Sequence, residues 1–334
     1  MTPIMVSGMT KVSVIIPIYN GESDLPDLVD CLLAQTLPTE QVEYLLVDNA
    51  SRDRTPILIQ SAMARATAQG MILKYLLEDQ IQSSYAARNR GIRVATGEIL
   101  AFTDADCRPQ AAWLEKLMEP FTDPAIGLVA GEILALPGDS LLEQFAEHGK
   151  TLSQKHTLAH PFCPYGQTAN LAIRRDVLES VGLFRPYLTT GGDADLCWRV
   201  LRQTNWRIHF ASGATVQHRH RATWKDLMAQ WRRYGRSNRY LHDLHGVALQ
   251  PEWSNREYLY RYSRWLLKEL PIVTVRLLMG KATRIDLVST PLSLACGRAR
   301  LQGQREAQLP EAAREIAPFE VLATEPIPPR NSID

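Results

Sequence analysis

The chain has little cysteine, and no pattern in what it has. Its five cysteines, Cys31, Cys107, Cys163, Cys197 and Cys296, are scattered and odd in number. No Cys-x-x-Cys pair occurs, which argues against a zinc knuckle or a disulfide framework and suits a reducing compartment. No apolar run approaches the ~20 residues of a membrane span. The longest candidate, Leu270 to Met279, is broken by Arg276. Met1 to Lys11 lacks the order of a secretory leader, so a cytoplasmic protein that does not cross the membrane is expected. The formal net charge is only +1, so no global attraction for nucleic acid is implied. No Gly-x-Gly-x-x-Gly follows the first apolar run, which removes the dinucleotide fingerprint. Gly280-Lys281 lacks the earlier glycine of a phosphate loop, because Val275 stands there. Internal repeats are absent.

What is present reads as an alternating α/β chain. With 334 residues, 45% of them hydrophobic and 22% charged, the chain can bury a core as one large or two modest domains. Val12 to Ile16 is a β-branched run that stops at Pro17. Leu25, Leu28, Val29, Leu32 and Leu33 share one helical face. Glu43 to Val47, Met71 to Leu77 and Glu98 to Phe102 are further strands. Helices are expected from about Thr55 and over Ser84 to Ala95. Such alternation predicts a parallel sheet. Further on, Ala125 to Ala130, Thr168 to Ile173, Trp206 to Phe210 and Ala214 to Val216 read as strands, and Asp193 to Arg202 as a helix. Gly149 to Gly166 is poorly patterned and reads as a mobile loop over a site.

Two acidic motifs, Asp104-Ala105-Asp106 and Asp193-Ala194-Asp195, stand about ninety residues apart. The first ends a strand and the second follows the Gly191-Gly192 turn. In open α/β sheets ligands bind beyond the carboxyl ends of the strands. Four segments fall there: Pro17 to Asn20, Asp48 to Ser51, Asp104 to Asp106, and the turn before Asp193. Tyr19 offers a flat ring to a nucleobase, Asn49 an amide to a base edge, and Asp104 an acceptor for ribose hydroxyls. Asp106 offers a hard oxygen to Mg²⁺ or Mn²⁺. Each has a plainer reading: Tyr19 as cover for a strand end, the Asp48 segment as a turn and cap, the Asp104 segment as a cap for a helix at Pro109.

Val12 to Asn20, Val47 to Thr55, Ala87-Arg88-Asn89-Arg90-Gly91, Gly97 to Asp106 and Gly192 to Arg199 together resemble the ordered signature of inverting glycosyltransferases of family 2. The resemblance implies a GT-A fold, a Rossmann-like mixed sheet, over residues 11–222. It further implies a nucleotide-sugar donor, expected to be a UDP-sugar, held by Pro17, Tyr19, Asn20, Asp48, Asn49, Arg88 and Asp104. Mn²⁺ or Mg²⁺ would bind at Asp104, Asp106 and His218, and Asp193 would be the catalytic base of a metal-dependent hexosyl transfer in polysaccharide synthesis. Many members carry aspartate where this chain has Asn49, and Glu-Asp where it has Gly192-Asp193. Asp193 is preferred to Asp195 as the base because it sits at the turn. Asp195 is the alternative, or else holds Arg199 one helical turn on. His218 is preferred to His220 by its offset from the strand, against a plain basic loop.

After His220 the charge is lopsided, with arginines and lysines interleaved among tryptophans and tyrosines. A region of helices over 223–300 is expected as an appendage. It suits attachment at the inner face of the plasma membrane and a glycan or lipid-linked acceptor, or else a solvated helix pair. Nucleic acid is not expected as a partner. Arg232 or Arg233 is placed to reach a diphosphate. Residues 1–10 read as an extension and 301–334 as a disordered tail. The rival functions are a nucleotidyltransferase acting on a sugar phosphate, and a non-catalytic membrane-associated scaffold.

Overall fold

The computed structural model describes residues 12–319. The expected extension 1–10 and the end of the expected tail, 320–334, lie outside the described residues. Strands β1 (Val12–Ile18), β2 (Val42–Asp48), β3 (Ile72–Leu77) and β4 (Ile99–Thr103) alternate with helices α1 (Leu25–Leu33), α2 (Thr55–Ala68) and α3 (Ser84–Val94). Every residue of β1, β2 and β4 is buried, as parallel strands covered on both faces must be. Helix α1 turns Leu25, Leu28, Val29 and Leu32 onto the sheet. The Ser83 hydroxyl caps α3 by accepting from the Tyr85 N–H.

Strand β1 does not stop at Pro17; it runs on to Ile18. The Ile18 carbonyl accepts from the Asn49 N–H at 2.7 Å, so Ile18 faces β2 and Pro17 faces the β4 side. Pairing with β4 has already ended there, at Ile15–Phe102. The missing proline N–H therefore leaves no gap in a ladder.

The remaining elements are β5 (Cys107–Pro109), α4 (Trp113–Met118), β6 (Ile126–Ala135), α5 (Leu141–His148), α6 (Gln154–Leu158), β7 (Asn170–Arg174), α7 (Arg175–Val181), α8 (Gly192–Gln203), β8 (Arg207–His218), α9 (Trp224–His245), α10 (Asn255–Arg264), α11 (Leu270–Leu278) and α12 (Arg284–Glu306). The sheet order is β3-β2-β1-β4-β7-β6-β8-β5. The first four strands are parallel, as the alternation predicts. Strand β7 then runs antiparallel to both β4 and β6, so the sheet is mixed.

Two readings change. The segments 206–210 and 214–216 are one strand, β8, bulged where its register on β6 slips between Gly131 and Glu132. Buried Asn170 pins the bulge: its amide donates to the Ala214 carbonyl at 2.8 Å and the Glu132 carbonyl at 2.9 Å. The segment 149–166 contains α6 and is tied down by Gln154, which is fully buried and donates to the Asn170 carbonyl at 2.9 Å.

Helices α9 and α12 cross at two glycines. A Cβ on Gly235 would collide with the Arg300 carbonyl, and one on Gly303 with the Arg232 carbonyl. The expected loose tail does not begin at Leu301. Helix α12 continues to Glu306, Ala307 and Ala313 are buried, and the Leu183 N–H donates to the Ala317 carbonyl at 2.9 Å. The small alanines that make this stretch look unstructured in sequence are what allow it to lie flat on the core.

Candidate active site

The carboxyl ends of β1, β2 and β4 meet, and short polar residues stitch them together. Asn20 sits at φ +51°, its N–H donates to Ser51 Oγ at 2.9 Å, and its Oδ1 accepts from the Arg52 N–H at 2.8 Å. The Gly21 N–H donates to Thr55 Oγ1 at 2.8 Å. Asp48 is buried and accepts from the Ser51 N–H at 2.9 Å and from Tyr75 Oη at 3.1 Å. Pro17 is buried within β1. Tyr19 is half exposed beyond it, free to meet a ring.

Asn49 is tied to the loop after β3: Nδ2 donates to the Glu78 carbonyl at 2.8 Å and the Ile81 carbonyl at 2.9 Å, and Oδ1 accepts from Gln82 Nε2 at 3.1 Å. Both of its donors are engaged, and Oδ1 keeps a second lone pair. Asn20 and Asp48 hold the strand-end turns together.

Beside these ends lies a cleft of about 190 Å³, walled by Tyr85, Arg88, Asp104, Thr168, Asp193 and Arg233 among others. Arg88 is buried on α3 and pairs with Asp104 at 2.5 Å, while its Nε finds no partner. Asp193 opens α8 and accepts from Thr168 Oγ1 at 3.1 Å and the Thr168 N–H at 3.3 Å. Burial pushes its carboxyl above the ordinary value; Arg88 pulls it down and Asp104 pushes it up again. Gly191, at φ +80°, makes the turn. The departure at Gly192 has a steric cause: a Cβ there would run into the Tyr85 ring at 2.7–2.9 Å.

Asp195 faces the other way. It is fully buried and touches Arg185 Nε at 3.0 Å, Arg199 Nε at 3.1 Å and His245 Nε2 at 2.9 Å. Burial pushes its carboxyl up, but His245, Arg199 and Arg185 outweigh this and hold it at about 2. The pairing with Arg199 read from sequence is present.

Asp106 Oδ1 lies 3.3 Å from His218 Nε2, and Asp106 Oδ2 lies 3.4 Å from Arg221 Nη2. Ligand atoms of Asp106, Cys107 and His218 fall within 4.8 Å of one another. Burial pushes the Cys107 thiol well above its ordinary value, and Sγ lies 3.8 Å from the Ala169 carbonyl. The carboxylate oxygen and the imidazole nitrogen beside it are donors suited to a divalent transition-metal ion. His220 is not in this group; burial above all, then His218 and Arg221, lower its imidazole to about 4.

One wall was only half read from sequence. Gln230, Arg233, Tyr234 and Ser237 of α9 line the cleft, at the spacing of a single helical face. Of the two neighbouring arginines, Arg233 enters the cleft and Arg232 turns to Gln302 at 3.2 Å. Thr168 carried no sequence signal at all.

The chain matches the family described as "Glycosyl transferase family 2" over residues 13–182 and "Glycosyl transferase family group 2" over residues 99–297. It is 36% identical over 190 residues to glycosyltransferase AglE of Haloferax volcanii, covering 57% of this chain and 60% of that one. It is 30% identical over 231 residues to the pre-mycofactocin glycosyltransferase of Mycobacterium tuberculosis, covering 68% and 46%. The chain thus spans about half the length of these curated relatives. Among solved structures, mannosyltransferase PcManGT from Pyrobaculum calidifontis, in complex with GDP-Man and Mn²⁺, superposes with a TM-score of 0.59 at 18% identity over 90% of this chain and 88% of that one. S. aureus TarS 1-349 in complex with UDP-GlcNAc does so with a TM-score of 0.51 at 17% identity over 88% and 89%. The first match covers the strand ends and the first acidic motif, and the second runs through both acidic motifs: the chain belongs to glycosyltransferase family 2 and has the GT-A fold.

Proposed function

We propose that this protein transfers a sugar, with inversion, from a nucleoside-diphosphate sugar to a hydroxyl of a glycan or lipid-linked acceptor. The observation that carries this reading is the single cleft in which Asp193, the Arg88–Asp104 pair and Arg233 face one another. Asp193 takes the acceptor proton as the hydroxyl oxygen bonds to the anomeric carbon, and the bond to the diphosphate breaks on the opposite side. A carboxyl raised by burial keeps basicity for that task. The unpartnered Arg88 Nε and the Arg233 guanidinium are donors for the departing diphosphate. A divalent ion held by Asp106 and His218, with Asp104 beside it, would offset charge on that leaving group. UDP is the proposed nucleotide; GDP is the comparison to run beside it.

Asp106→Ala is expected to abolish the enhancement of UDP binding by Mn²⁺. Calorimetric titration with and without the ion, on both proteins, measures it. An undiminished enhancement in the variant would remove Asp106 from the metal site.

We also infer a membrane-surface partner, docked on the segment from α10 through α11. Helix α10, the π-helical turn 265–269 and α11 bury no residue. Leu259, Leu267 and Leu278 are 68%, 77% and 83% exposed. Arg256, Arg261, Arg264, Lys268, Arg276 and Lys281 lie along the same segment. No described helix is long and apolar enough to cross a membrane. An apolar face among cations fits an anionic interface. Co-sedimentation with anionic vesicles should be strong, weaker at high salt, and lost in Leu267→Asp/Leu278→Asp. Equal binding to neutral vesicles, or an unaffected double variant, would reject this surface.

A further inference from the structure

Little backbone joins Asp106 to His218. Strand β5 is an edge strand of three residues. Its ladder with β8 consists of Cys107–His218, Arg108–Gln217 and Pro109–Val216. His218 is thus the last paired residue of β8, and Asp106 stands just outside the ladder. One more backbone bond follows, from the Arg219 N–H to the Asp106 carbonyl at 3.0 Å. A short ladder on a sheet edge frays from its end, and the donor pair sits at that end.

A side-chain network closes it. Arg108 is buried on β5. Its Nη1 donates to the Cys107 carbonyl at 2.9 Å and to the Ala105 carbonyl at 3.3 Å, inside the first acidic motif. Its Nη2 donates to Asp24 Oδ1 at 3.0 Å and to Asp27 Oδ2 at 3.1 Å, both at the start of α1. The same Asp24 Oδ1 lies 2.7 Å from Arg219 Nη2. One carboxylate oxygen therefore joins the arginine that holds the Asp106 backbone to the arginine that follows His218.

Asp24 is the N-cap residue of α1, where an aspartate ordinarily accepts from N–H groups of its own helix. It makes no such bond. Its oxygen goes to the two arginines instead, in charge-assisted contacts, which are the strong ones.

We propose that Asp24 is a positioning residue for the divalent ion: through Arg108 and Arg219 it fixes the spacing of Asp106 and His218. It touches neither the ion nor the substrate. This deepens the reading of Asp106 and His218 as metal donors and rests on it.

Two variants separate position from charge. Asp24→Asn removes a negative charge near the ion, and Arg219→Gln removes a positive one. A field effect alone weakens Mn²⁺ binding in the first and tightens it in the second. Loss of position weakens it in both. Asparagine caps a helix as well as aspartate does, and the Arg219 side chain is 36% exposed, so both variants should fold. UDP affinity of the full chain is measured calorimetrically across a Mn²⁺ series. The Mn²⁺ concentration that gives half the full enhancement reports the ion's affinity. It should rise about tenfold in each variant, as when a partner that orients a metal ligand is lost. The double variant should be little worse than either single one, because both act through one contact. Affinity for UDP without metal should stay within about twofold of wild type, and saturating Mn²⁺ should restore kcat.

Tighter Mn²⁺ binding in Arg219→Gln overturns the network, as does an unchanged Mn²⁺ requirement in both variants; the metal reading then stands without it. Wild-type UDP binding that Mn²⁺ does not enhance removes the metal reading and the network's role together. If Asp24→Asn loses UDP binding without metal, it is misfolded, and the sign of the change in Arg219→Gln decides alone.

Discussion

Asp193→Asn is expected to bind the donor nearly as tightly as wild type and to turn over about a hundredfold more slowly, or worse. Asparagine preserves the shape and can still meet Thr168, which donates to both carboxylate oxygens. It cannot accept a proton at neutral pH. The pH profile supplies a second, independent signature. Because burial raises the Asp193 carboxyl, it becomes protonated on descending through a pKa above the ordinary carboxylate value. Wild-type turnover should therefore fall on that acid limb, and the residual activity of the variant should lack it. Steady-state rates with a fixed acceptor, beside donor titrations, measure both effects. Full turnover in Asp193→Asn would exclude this carboxylate as the base.

Asp195→Ala should fail differently, by loss of stability of about 3–5 kcal/mol. The carboxylate is fully buried among Arg185, Arg199 and His245. Removing it leaves two guanidinium groups and an imidazole facing one another without an anion. The pH dependence comes from the depressed value. Its folded pKa of about 2 lies below the ordinary 3.8. Its stabilisation is thus complete above the unfolded value and is lost as pH falls toward and through about 2. Denaturant unfolding should show wild type losing stability across that window and the variant losing less. A variant as stable as wild type at neutral pH, but slow in turnover, would mean that the two aspartates have been assigned the wrong way round.

How much of this could be read from the chain depends on the kind of interaction involved. Strands β1, β2 and β4 were legible because each is an apolar run ended by polar residues, which burial on both faces of the sheet demands; edge strand β3 carries a similar run although it is only partly buried. The acids were legible because Asp104 follows a strand and Asp193 follows a glycine turn. That Asn49 ties down the 78–82 loop is not legible, because its partners, Glu78, Ile81 and Gln82, lie in a loop whose backbone carbonyls leave no mark in sequence. The bulge in β8 looked like a strand break because the residue that pins it, Asn170, lies on another strand. Of the α9 wall, the one-face spacing was present, but nothing local says that this face meets a cleft built from residues between Ser84 and Ala194. Thr168 was invisible for the same reason: threonine at a strand end is ordinary until Asp193 stands opposite it.

The crossing of α9 and α12 at Gly235 and Gly303 has an evolutionary corollary. Arg233 and Tyr234 line the cleft, Gly297 and Arg300 line a second cavity between α5, α9, α10 and α12, and both linings flank the same backbone-to-backbone contact. A recombination event that brings in one of these helices without its partner places a side chain where only hydrogen fits, and displaces both linings together. The C-terminal helices therefore fit each other only as a matched pair. Drift in the shape of one cavity is mechanically tied to the other, and new specificities should arise by changes within the linings rather than by exchange of a terminal cassette.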